Sequence, residues 1–98
     1  MQQTWNKLRA MHCVLAALFL FAHRVMAGSL RHQKIIGEAI RRYRKRAGLS
    51  QEKLAEKADL HPVYVGELER GEEAASVSAL VRIAKALGVR VRNLVDKL

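Results

Sequence analysis

The sequence predicts an all-α protein: a five-helix domain at residues 35–98, preceded at 1–34 by an extension made of an apolar segment and a basic linker. Three observations carry that expectation. Apolar residues recur at helical spacing, and nothing alternates with period two over a useful length. Helix punctuation follows in order, with Ser50, Pro62, Gly71, Ser76 and Gly88 standing where helices start or stop. Hydrophobic residues make up 50% of the chain but aromatics only 5%, so the core is expected to be Ile, Leu, Val and Ala on helices. The 98 residues allow one domain, and its small size means a single core must hold it.

The first segment is unusual. Ala10–Ala22, AMHCVLAALFLFA, carries no formal charge, with Lys7 and Arg9 before it and His23 and Arg24 after it. It falls short of the roughly twenty residues that cross a bilayer. Three readings stay open. A basic start, an apolar middle and Val25-Met26-Ala27 as a small-residue cleavage site form the layout of an export signal or a membrane contact. Translation would alternatively begin at Met26, giving MAGSLRHQKIIGEAI. In the third reading the segment is an extra helix packed on the domain or across a dimer. Gly28–Lys34, GSLRHQK, is expected to be a basic linker without periodicity.

The domain opens with a helix over Ile35–Ala47, on which Ile36, Ala39, Ile40, Tyr43 and Ala47 form an inward stripe. Arg41, Arg42, Arg44, Lys45 and Arg46 crowd its last turns. Cations there suit the negative end of the helix dipole, and they would equally suit phosphate. Ser50 caps a second helix of strong formers, Gln51 to Ala58, with Leu54, Ala55 and Ala58 on its apolar face. Asp59 stands at the corner, where a left-handed conformation is tolerable for Asp. Pro62 begins a third helix at the position where no N–H is needed, and Gly71 ends it. Val65 and Leu68 point inward, leaving Val63, Tyr64, Gly66, Glu67 and Arg70 outward. Two helices of about eight residues joined by a tight corner form a helix-turn-helix pattern.

Ser76 caps the fourth helix, whose inward face is expected to be Val77, Leu80, Val81, Ile83, Ala84 and Leu87, with Gly88 as the stop. Val89–Leu98 gives a weak fifth helix, because Arg90 is a poor cap. Val91, Leu94, Val95 and Leu98 serve either a dimer seam or simple closure of the core.

The formal charge of +9 favours polyanionic partners. Its distribution is uneven. Residues 1–34 hold five basic residues and no acid, whereas 35–98 hold thirteen basic and nine acidic, which a solvated surface would explain. The single Cys13 excludes an internal disulfide. His12, His23, His32 and His61 have no metal-ligand spacing, and no Gly-rich phosphate loop or paired carboxylate site is present. These features argue against an enzyme, a metal site or a bound cofactor.

SQEKLAEKADL, followed after three residues by YVGELERG, resembles the core of the XRE-like helix-turn-helix regulators, built like the lambda and Cro repressors. IGEAIRRYRKRAGLSQ is similar to the first helix and lead-in of that family, and LVRIAKALGV to its fourth helix; the resemblance runs from about Ile35 to Leu98. It implies a cytoplasmic lambda-repressor-like transcription regulator, a homodimeric repressor of double-stranded DNA with Pro62–Arg70 as the recognition helix. A toxin or other protein partner is the alternative, and a membrane is not expected.

The resemblance also assigns residues. Gln51 would hold a phosphate at a helix N-terminus, and His61 and Pro62 would open the recognition helix, His61 touching phosphate or capping. Val63 would meet a thymine methyl and Glu67 would accept from cytosine N4. Tyr64 and Arg70 would reach phosphates, and Gly66 would let backbone approach DNA. Arg44 and Glu69 would form a structural pair, a guanidinium fork holding a carboxylate. The family places Asn-Pro before the fourth helix where this chain has Ala74-Ala75, which predicts a looser loop.

Overall fold

The computed structural model describes residues 2–98, with side chains described at 11, 13–18 and 30–98. The side chains at the candidate cleavage site and at Met26 lie outside the described residues. Five helices and no strand occur among the described residues: α1 (Gln2–Arg46), α2 (Gln51–Ala58), α3 (Pro62–Arg70), α4 (Val77–Leu87) and α5 (Val91–Val95).

Local chemistry sets the boundaries. Ser50 and Ser76 accept the N–H of Lys53 and Ala79, each at 3.1 Å, closing the first turns of α2 and α4. Helices α1 to α4 all end in the same way. A left-handed residue (Gly48, Asp59, Gly71 or Gly88) is followed by an amide that bonds back five residues, as when Leu60 N–H reaches Ala55 O at 2.9 Å. Asp59, with φ 55°, is the one non-Gly residue in this conformation among those described. α5 has a different start. Its N-cap, Arg90, makes no side-chain cap, and its own N–H donates to Asn93 Oδ1 at 3.0 Å.

Each helix contributes to one core: Ile40 from α1, Leu54 from α2, Val65 and Leu68 from α3, Ile83 from α4 and Leu94 from α5 are the largest fully buried side chains. Burial stabilises by about 1.5–3 kcal/mol for each such side chain. α3 lies against both α1 and α2, α4 backs α2, and α5 closes the end against α1 and α4. The crossing of α1 and α3 is close, because Gly37 has no Cβ to separate the backbones.

Several expectations are corrected. Gly28–Lys34 is helical and continuous with α1, so no linker separates the extension from the domain. The domain also uses the end of that stretch, since Lys34 packs against Gly71. A 45-residue helix is about 67 Å long, and it accounts for the 69 Å extent of the molecule. Met11, Val14, Leu15 and Leu18 are each more than half exposed, so this part of α1 does not fold back on the domain. Among the described residues, no helix is long and apolar enough to cross a membrane.

Ala47 is exposed rather than part of the stripe, because the Gly48 turn has already ended the helix. On α4 the buried arc is centred on Ala79, Leu80, Ile83 and Ala84, and Val77 and Val81 fall on its exposed flank. On α5, Leu94 is fully buried and Val91 and Val95 pack on the core, leaving Leu98 exposed. Of the two roles open to these residues, core closure is the one Leu94 takes outright and Val91 and Val95 take in part.

Candidate nucleic-acid interface

α3 is held from within and presented outward. Val65 and Leu68 fix its inner side in the core, and an ion pair fixes its far end. Arg44 Nε and Nη2 donate to Glu69 Oε2 and Oε1 at 2.8 and 2.9 Å, while Arg44 Nη1 donates to Leu49 O at 2.8 Å. The side chains are 12% and 2% exposed, so the fork of Arg44 satisfies an otherwise buried carboxylate. One guanidinium ties α1, the loop before α2, and α3 together.

At the near end Pro62 occupies the first turn, and His61 Nδ1 accepts the Val63 N–H at 3.1 Å. His61 is therefore a cap, with Nε2 as the atom able to donate outward. Val63 is 59% exposed and Pro62 is exposed. Gln51, on the first turn of α2, reaches the same surface. Together with Glu52, Pro62, Val63, Gly66 and Arg70 it lines a shallow depression of about 250 Å³. Five of the eight proposed contact residues thus meet at one place. His61, Tyr64 and Glu67 are not among those that line it.

Two of these residues differ from their sequence expectation. Gly66 is buried, not open to an approaching backbone, because Gln51 and Arg70 cover it. A Cβ there would stand 3.1 Å from Arg70 Nη1 and 3.5 Å from Gln51 Oε1. The Tyr64 hydroxyl is engaged within the protein. It donates to Ala74 O at 3.2 Å and accepts the Ser76 N–H at 3.4 Å. This ties α3 to the cap of α4 and gives the Ala74-Ala75 loop an anchor that its own residues do not supply.

Arg70 is also engaged. Its Nε donates to Glu72 Oε1 at 2.9 Å, and that hydrogen bond pushes the guanidinium above its ordinary value and holds the Glu72 carboxyl below its own. In the basic cluster of α1, the guanidinium groups of Arg42 and Arg46 each lie 5.4 Å from the Tyr43 ring centroid, while Arg41 and Lys45 are exposed. No cluster of three or more groups able to hold a metal occurs among the described residues.

Sequence reasoning missed four relationships, although Glu72 itself stands out in the sequence as an acid beside the recognition helix that would repel phosphate. Glu52 lines the depression, Glu72 pairs with Arg70, Arg82 Nη1 donates to Asp59 O at 3.2 Å, and Gly37 sets the α1–α3 crossing. Only Gly37 carried a signal, since an isolated Gly inside a helical stripe marks a close approach.

A short helix closed by Asp59, a tight corner and a Pro-started second helix with an outward face define a helix-turn-helix domain. A helix-turn-helix family model matches residues 40–94. The chain belongs to this family, as a transcriptional regulator of the XRE-like type. It is 42% identical over 65 residues to control protein C.SmaI of Serratia marcescens, covering 66% of this chain and 77% of that protein. It is 40% identical over 63 residues to control protein C.BamHI of Bacillus amyloliquefaciens, covering 63% and 78%. The crystal structure of the restriction-modification controller protein C.AhdI from Aeromonas hydrophila superposes with a TM-score of 0.62 at 37% identity, covering 63% of this chain and 94% of that one.

Proposed function

We propose that residues 35–98 form the DNA-reading unit of a homodimeric regulator that binds a two-fold symmetric operator and represses its own gene. The half-sites lie about 34 Å apart, one helical turn. The reading rests on one observation: Gln51, Pro62, Val63 and Arg70 line one shallow depression over the buried Gly66, on the outward face of α3 and the start of α2. Gln51 holds a phosphate at the N-terminus of α2. Val63 meets a thymine methyl, and Glu67 accepts from cytosine N4. Arg70 and the exposed Arg41 and Lys45 supply phosphate charge. His61 acts first as the cap, with Nε2 left for a backbone oxygen. The likeness to restriction-modification controllers supports a controller-type role. A second copy would find Val77 and Val81, one turn apart on α4, together with Leu98, as exposed apolar surface. The protein works in the cytoplasm and needs no cofactor.

The test titrates the full chain against DNA from upstream of its own gene and against an unrelated duplex, each at two salt concentrations. A preference of about a thousandfold or more for the upstream DNA, with affinity falling steeply with salt, is the expected result. Equal, weak binding to both would overturn the reading.

A further inference from the structure

Arg70 and Glu72 form an exposed pair whose place on α3 matters more than its strength. Both side chains are 55% exposed, and such a pair adds little to stability. Its position is unusual. Arg70 folds back so that Nη1 would stand 3.1 Å from a Cβ on Gly66. The guanidinium therefore lies across the centre of the recognition face, where the missing side chain of Gly66 leaves room for it. Glu72, just past the Gly71 stop, grips Nε at 2.9 Å, and its carboxylate offers the oxygens that a phosphate would offer. Gly71 is fixed by its left-handed φ of 73° and by contact with the backbone of Lys34, so the residue after it has a defined starting point. The Glu72 N–H donates to Glu67 O at 3.0 Å, which locks that point further.

Building on the DNA-binding reading, we propose that Glu72 is a built-in competitor for DNA phosphate. It holds Arg70 in a stand-by position over Gly66, and DNA must displace it before Arg70 can engage the backbone. Glu72 thereby lowers affinity for all DNA without contributing to the choice of sequence. An ordinary Glu carboxyl is already ionised at neutral pH, and the Arg70 hydrogen bond lowers that of Glu72 further, so the competitor is in place.

The experiment is a double-variant cycle in the full chain, using a mixed-sequence duplex and own-promoter DNA between about 50 and 200 mM salt. Glu72→Gln is expected to tighten binding to both duplexes by a similar factor, about two- to fivefold given the strength of an exposed ion pair. In an Arg70→Gln background the same Glu72→Gln change is expected to have no further effect. Circular dichroism melting checks that all three variants fold, which exposed positions permit. The proposal is overturned if Glu72→Gln leaves affinity unchanged. It is also overturned if the gain persists in the Arg70→Gln background, since Glu72 would then act by simple repulsion. If no protein in the set binds either duplex at the lowest salt, the DNA-binding reading itself fails and the competitor fails with it.

Discussion

Gly37 of α1 and Leu68 of α3 meet backbone to backbone. A Cβ added at Gly37 would collide with the Leu68 carbonyl oxygen and stand 2.8 Å from that of Glu69. Neither neighbour is the tip of a flexible side chain, so a methyl here must push the two helices apart. Overpacking costs about 1–3 kcal/mol, and a clash with backbone belongs at the upper end. Gly37→Ala is expected to lower stability by about 2 kcal/mol or more, with a fall in Tm of about 4–8 °C for each kcal/mol. Thermal unfolding measures it directly. An unchanged Tm would mean that α1 can shift at no cost and that the close crossing is not what seats α3.

Arg44 and Glu69 sit beside that crossing, and their burial decides what happens when one is removed. Losing one partner leaves an uncompensated buried charge, at a cost of about 3–5 kcal/mol. Arg44→Ala is expected in that range by urea unfolding. Arg44→Lys keeps the charge but cannot hold both carboxylate oxygens while also reaching Leu49 O, so it too is expected to destabilise. Replacing Arg44 and Glu69 together by Leu is expected to cost less than the two single Leu changes combined, because neither charge is left alone. Strict additivity would show that the two residues do not act as a pair.

The difference between what was legible and what was not lies in the range of the interactions. Ser50, Asp59, Pro62, Gly71, Ser76 and Gly88 act within a turn of their own position, and each stands at the cap, corner or stop that local chemistry assigns to it. On α4, Val77 and Val81 have the composition of core residues, yet they are exposed while Ala79 is buried, because burial follows the face that meets α2 and composition does not encode that face. At the candidate site, the outward positions of α3 were readable from its period. The engagements of Tyr64 with Ala74 and Ser76, and of Arg70 with Glu72, were not, because they depend on how the loop after Gly71 turns back. Nothing in the spacing of EEAAS encodes that path. The continuity of α1 through Gly28–Lys34 was missed for a similar reason: a basic stretch without an apolar face gives no periodic signal.

Tyr64→Phe separates two roles for one hydroxyl. If the group pins the loop, its loss removes a donor to Ala74 O and an acceptor for the Ser76 N–H. Hydrogen bonds of this kind contribute about 0.5–1.5 kcal/mol. The expected outcome is a small loss of stability and faster amide exchange at Ser76, with DNA affinity changed by less than about twofold. A drop in affinity without change in stability or exchange would return Tyr64 to the phosphate contacts.

Glu72 makes the pairing with Arg70 visible in solution through its titration. The Arg70 hydrogen bond holds its carboxyl below the ordinary carboxylate value, which is about 4.3 for Glu. A carboxyl lowered in the folded state contributes above the unfolded value, and the contribution is lost as pH falls through the folded one. The pair is therefore expected to persist across the neutral range and to open only in acid. Side-chain carboxyl NMR of Glu72 should give a midpoint beneath the ordinary value, and Arg70→Gln should raise it. Because both side chains are exposed, added salt should also narrow the gap. If Arg70→Gln leaves the Glu72 midpoint where it was, the two groups do not meet in solution. Arg70 would then be free to meet phosphate with nothing to displace.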